Sequence, residues 1–141
     1  MKYKLTKTQK QVGDITVYQI RALKEFGLFG CVKRPNLRLG GWVESEKNLS
    51  HEGTCWVRED GIVSGNATVT GDAVVGGAAH VFGNAKISED AGISGDAKIF
   101  ENAQICGNSH IYGFAQIHGD AIISGKSIYK GDWVTPDGST K

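Results

Sequence analysis

The sequence predicts an all-β fold in which very short parallel strands wind into a solenoid, closed on its N-terminal side by a β-hairpin. Three observations predict it. Val or Ile recurs at every sixth residue from Val57 to Ile123, at all twelve places and without insertion or deletion. Twenty glycines against two prolines demand many tight turns, not a Pro-rich linker. Two alternating runs also flank a Gly-Asp pair near the N-terminus, the pattern of a hairpin. At 141 residues the chain has the size of one domain with a real core.

Taken in order, "KYKLTKTQKQVGDITVYQIRAL" supplies the hairpin, turning at Gly13-Asp14. "ALKEF" predicts a short helical turn. "LRLGGWVESEKNLSHEGTCWV" leads into the repeat, and the step from Val43 to Leu49 is already six residues. A solenoid needs such a terminal cap to cover its open edge.

From Val57 the hexad reads small-x-[Val/Ile]-x-Gly-[Asn/Asp]. Gly stands two residues after the aliphatic in nine of twelve hexads, and Asn or Asp three residues after it in nine of twelve. Each part has a reason. Strand side chains alternate, so the small residue and the aliphatic share one face, and Val and Ile favour the pleated backbone. Gly followed by Asn or Asp accepts the positive φ of a sharp corner. A helix is excluded, because a glycine every six residues costs it about 1 kcal/mol each. After Ile123 the next aliphatic, Ile128, comes five residues on, so the register is expected to slip there, with Trp133 closing the core.

On these residues the chain resembles the hexapeptide-repeat proteins, over about residues 49–134. The resemblance implies a left-handed parallel β-helix, a triangular prism with three hexads to each coil. Its crossovers run against the usual right-handed rule. Twelve hexads then make four coils, roughly 19 Å tall. The expected organisation is a cap over 1–48, the β-helix over 49–134 and a tail over 135–141. The stretch "LGGWVESEKNLSHEG" is similar to uncharacterised bacterial and prophage hexapeptide proteins that carry a transferase label. The family's common state implies a homotrimer.

Stacking every third hexad brings distant residues into columns. On the face of Val63, Val81, Ile99 and Ile117, the outward positions after the aliphatic are Ser64, Phe82, Phe100 and His118. Those before it are Ile62, His80, Lys98 and Gln116. The adjoining corner stacks Asn66, Asn84, Asn102 and Asp120, the makings of an amide ladder. Two large aromatics on the outside of a prism need a partner surface, so Phe82 and Phe100 meet either the N-terminal cap, another subunit or a different partner. Tyr112 and Phe114 form a smaller aromatic spot. A second face presents Arg58, Gly76, Ser94 and Tyr112.

Chemistry finds little support. The acyl transfer known on this scaffold requires, by the resemblance, a His base at a subunit interface and usually a projecting loop. No loop interrupts Val57–Ile123, and His80, beside Phe82 and Lys98, is a weak catalytic candidate. A three-histidine zinc site fits poorly, since His110 and His118 fall on different faces and His80 and His118 lie two coils apart. "SGKSI" lacks the first glycine and the helix of a phosphate loop. Glu89-Asp90 occupies a corner where turn residues belong, not a general acid–base pair. Residues 1–50 carry ten Lys/Arg against four Asp/Glu, and residues 51–134 carry five against ten. That basic end has no interleaved aromatics or known nucleic-acid motif.

No apolar run reaches the roughly 18 residues of a membrane helix, and none forms a leader after Met1. Cys31, Cys55 and Cys106 are few, odd and scattered, which suits a reducing cytoplasm. The expectation is a non-catalytic binding or assembly protein without metal or cofactor. It would act as a phage or prophage accessory factor engaging a host protein or small ligand, counter-defence being one such role. The alternative is a divergent acyltransferase using acyl-coenzyme A between subunits. The binding residues would be Phe82, Phe100, His118, His80, Lys98, Tyr112 and Phe114.

Overall fold

The computed structural model describes residues 3–23, 39–58 and 60–125, together with the backbone of 128–130 and 133–134. The helical turn expected at "ALKEF", the Trp133 side chain and the tail from 135 lie outside the described residues.

Twelve two- or three-residue strands follow one another at six-residue intervals, from Trp56–Val57 to Ile122–Ile123. They stack as three parallel sheets, which form the faces of a β-solenoid of about four turns. On the first face Val63, Val81, Ile99 and Ile117 lie in register. On the second Leu49, Val69, Ile87, Ile105 and Ile123 follow one another. On the third the column is Val57, Val75, Ile93 and Ile111. Every inward Val, Ile and Ala of these columns is buried.

The coils are joined by three N–H donors per hexad. Ile62 donates to the Ala79 carbonyl at 2.9 Å, Ser64 to Val81 at 2.9 Å and Asn66 to Gly83 at 2.8 Å, and the pattern recurs around the prism. At the corner the Ala67 N–H returns to the Ser64 carbonyl at 3.2 Å across Gly65, whose φ is 62°. A positive φ is reached without steric cost only by a residue that lacks a Cβ, which explains glycine there. The Asn66, Asn84, Asn102 and Asp120 side chains hydrogen-bond in sequence at 3.2, 3.3 and 3.2 Å, the amide ladder that the spacing predicts.

The hairpin is as expected: β1 (Tyr3–Val12) pairs antiparallel with β2 (Ile15–Ala22) across Gly13-Asp14. A third strand, β3 (Leu39–Val43), pairs antiparallel with β2 on one side and parallel with Ile62–Val63 on the other. The hairpin therefore continues the first face beyond the end of the prism. Here Val43 pairs with Val63 and Leu49 with Val69, a longer step along the chain than the one from Val57 to Val75. The opening coil holds two extra residues between Leu49 and Val57.

Those residues serve the junction. Tyr3, fully buried, reaches from β1 to donate its hydroxyl to the Leu49 carbonyl at 2.5 Å, and its ring stacks on His51 at 4.1 Å. Burial, with help from Glu46 and Cys55, raises the phenol above its ordinary range, so it stays a donor. Asn48, also fully buried, satisfies its whole amide. Its Oδ1 accepts from the Glu44 and Ser45 N–H groups at 3.1 and 2.9 Å, and its Nδ2 donates to the Gly65 and Ala67 carbonyls at 3.2 and 2.8 Å. Glu44 Oε1 accepts the Gly65 N–H at 2.7 Å.

At the other end the slip expected after Ile123 does not occur there. Tyr129 pairs with Ile111, so it takes the inward register place, while Ile128 pairs with outward His110. The shortening comes one strand later, where Val134 pairs with Ile117, one place short of the regular three-hexad step. Reading the last hexad by its aliphatic alone misplaces the slip, because an aromatic holds the aliphatic's position.

Glu89 and Glu101 occupy the glycine corner place with φ of 58° each. A left-handed conformation costs a residue with a Cβ about 1–2 kcal/mol, and glycine returns part of that in unfolded-state entropy. Glu89→Gly is therefore expected to raise stability by about 0.5–1 kcal/mol in chemical denaturation. Gly83→Ala should lower it by more than about 1 kcal/mol, since its Cβ would meet the Glu101 amide nitrogen at 2.8 Å as well as adopting positive φ. Asn48→Ala, which strands several buried backbone groups, should cost about 3 kcal/mol by the same measurement.

Candidate functional site

The first face carries the residues that alternation and the coil length bring together. Outward of the buried Val81 and Ile99 stand Phe82 and Phe100, half-buried, one coil apart. Their rings lie 5.1 Å apart and nearly parallel, at 6°. His118 extends the stack above Phe100 at 5.3 Å and 18°, and His80 leans on Phe82 at 4.4 Å and 40°. The result is one continuous ladder, His80–Phe82–Phe100–His118. In-register parallel strands about 4.8 Å apart hold successive outward rings at stacking distance, so the backbone pays the ordering entropy in advance.

Polar groups complete the strip. Ser64, one coil below Phe82, is 2% exposed and its hydroxyl shares a 3.2 Å hydrogen bond with His80 Nε2. Lys98 lies beside His80 in register, its side chain in solvent. Burial, and secondarily the charge of Lys98, lowers the His80 pKa below the ordinary histidine value. His80 is therefore neutral at pH 7, with a lone pair or an N–H to share with Ser64. At the top, Glu101 Oε1 approaches His118 Nδ1 at 3.7 Å. This is one of two glutamates in left-handed backbone among the described residues, so a strained corner stands directly beside the ladder.

Of the residues singled out in the sequence, His80, Phe82, Phe100, His118 and Lys98 are brought together. Tyr112 and Phe114 are not part of this group. Tyr112 belongs to the third face and is 37% exposed; Phe114 stands at the corner beyond it, 70% exposed. The ring partners of Phe82 among the described residues, His80 and Phe100, come from the solenoid and not from the hairpin. In the cap, Lys10 of β1 lies over the half-buried Trp42 ring of β3, at 4.5 Å from the ring centre.

Sequence reasoning missed two members of the site. Ser64 reads as an ordinary small outward residue, whereas it is buried and hydrogen-bonded to His80. Glu101 reads as a corner residue; its signal was available, as one of three hexads without the corner glycine. Among the described residues no group of three or more His, Cys, Asp or Glu could hold a metal ion. No helix among them is long and apolar enough to cross a membrane. Cys55 is a buried thiol and Cys106 a half-buried one.

A family model described as the YdcK beta solenoid repeat matches residues 63–77. That stretch lies within the hexads and agrees with the repeated β-solenoid architecture. No curated protein matches the chain.

Two outcomes follow. A double-mutant cycle of Phe82→Ser and Phe100→Ser should show a coupling of about 0.5–1.5 kcal/mol beyond lost area, measured by chemical denaturation. His80 has a folded pKa below its unfolded value, so its neutral form is what folding favours. That contribution is complete above about pH 6.5 and is lost as pH falls from there toward the folded pKa. The stability of the parent chain should thus drop on acidification through this window more steeply than that of His80→Gln.

Proposed function

We propose that the chain is a non-catalytic binding and assembly module of the hexapeptide-repeat kind, wound left-handed, which associates as a homotrimer through the first face. The observation that carries this reading is the ladder His80–Phe82–Phe100–His118: four rings prealigned on the outside of a rigid prism and only half-buried within one chain. Stacked rings held by the backbone are rigid anchors of the type that dominates interfaces, because little rotamer freedom remains to be lost. In this reading the trimer is a cytoplasmic phage or prophage accessory factor, and the faces left outside engage a host protein or small ligand.

The alternative is a divergent acyltransferase with His80 as base between subunits. Its support is the neutral imidazole beside Phe82 and Ser64. Against it, residues 60–125 keep the six-residue spacing throughout, so within them no loop leaves the prism to build a substrate pocket.

Light scattering with size-exclusion chromatography tests the assembly. A mass of three chains is expected, falling to one chain in Phe82→Ser/Phe100→Ser with the solenoid still folded by circular dichroism. A parent monomer would overturn the trimer. A rise in melting temperature with acetyl-coenzyme A that His80→Ala abolishes would overturn the non-catalytic reading.

A further inference from the structure

The third face carries a depression of about 410 Å³, within the ordinary range of small-molecule sites. Its origin is legible in the columns. The outward positions before the aliphatics are Trp56, Val74, Gly92 and His110, and those after are Arg58, Gly76, Ser94 and Tyr112. Two glycines and a serine in the middle coils leave a hollow between larger groups at either end. Arg58 stands at one end, with His110 and Tyr112 at the other, three coil steps or roughly 14 Å away.

The chemistry of the hollow is divided. Its floor is Val74 with the backbone of Gly76 and Gly92, whose N–H groups are already engaged: Val74 to the Ala91 carbonyl, Gly76 to Ile93 and Gly92 to Ser109, at 2.7–3.0 Å. A floor with its donors satisfied offers a flat surface and no polar anchor. The polar groups sit on the rim, where Arg58 brings a permanent cation with five N–H donors, Ser94 a hydroxyl and His110 an imidazole. His110 depends on the missing Cβ below it: a Cβ on Gly92 would lie 3.2 Å from its Nδ1 and 3.6 Å from its Cε1. The exposed imidazole thus has one edge over the glycine, at the margin of the hollow, while the rest of it meets solvent.

We infer that this hollow is a binding site for a small planar molecule bearing an anionic group, its ring laid on the Val74–glycine floor beside Tyr112 and His110 and its anion on Arg58. A mononucleotide and an aromatic carboxylic acid share that chemistry. The site is independent of the ladder, which lies on another face.

The test is calorimetric titration of the full chain with adenosine 5′-monophosphate and with naphthalene-2-carboxylate, using adenosine and inorganic phosphate as controls. Binding of either ring-bearing anion with a Kd at or below about 1 mM is expected, and which of them binds identifies the source of the chemistry. Arg58→Gln should weaken it about tenfold or more, as loss of a charge-assisted bond does. Ser94→Phe, a change at an outward position, should abolish binding by filling the hollow. Gly92→Ala should weaken it by displacing His110. Lys86→Gln, which removes an exposed cation on the second face, should leave the Kd unchanged. No binding of either anion at about 10 mM would overturn the inference. So would phosphate or adenosine alone binding as tightly, or affinity indifferent to Arg58 and Ser94.

Discussion

Everything in this molecule depends on one coil being hydrogen-bonded to the next. A hexad alone has two strand residues and a corner, too few to fold. Its three N–H groups find acceptors only in the coil that follows, and its Val or Ile is buried in a core that the stacked coils share. Backbone pairing and side-chain burial thus act over the same vector, the coil spacing. Any residue placed on a strand inherits that vector, whether or not it adds to stability.

Inheritance explains the ladder and the hollow alike. Phe82 and Phe100 stack because their strands are in register, not because they were placed by a loop or a helix. The third-face depression arises by the inverse route, from glycines at outward places where other coils carry side chains. A solenoid writes its surface as columns, so presence and absence of side chains are both readable as shape. The corners set the limit on this freedom. Among the described residues glycine holds the left-handed corner place nearly everywhere, and the exceptions there are Glu89 and Glu101, the latter beside His118. Strain tolerated at that point, next to the stacked rings, is consistent with a working surface on the first face.

The cap solves a different problem, since the first coil has no coil beneath it. β3 answers this by pairing on both sides, so the first face runs unbroken from hairpin to prism. The longer opening coil carries His51, which stacks on Tyr3, while Asn48 ties the β3 side to the Gly65 corner through a fully satisfied amide. A buried polar group of this kind specifies one arrangement of cap on coil, because any other leaves its donors and acceptors without partners.

The hexad, the inward columns, the corner glycines, the asparagine ladder and the hairpin turn were all legible in the sequence, because each depends on contacts at a constant separation along the chain. The membership of the ladder followed from the same arithmetic once three hexads to a coil were assumed. Where the period was broken, the sequence was a poorer guide. The longer opening coil and the place of Tyr129 could not be read from spacing, since an insertion and an aromatic substitution each hide the register that only pairing reveals. The lean of His80 onto Ser64 and Phe82 was likewise beyond reach. So was the closeness of the His110 ring edge to Gly92 on the third face. Side-chain direction on an exposed face is decided by which neighbours leave room, and that is a property of the folded surface and not of any repeat.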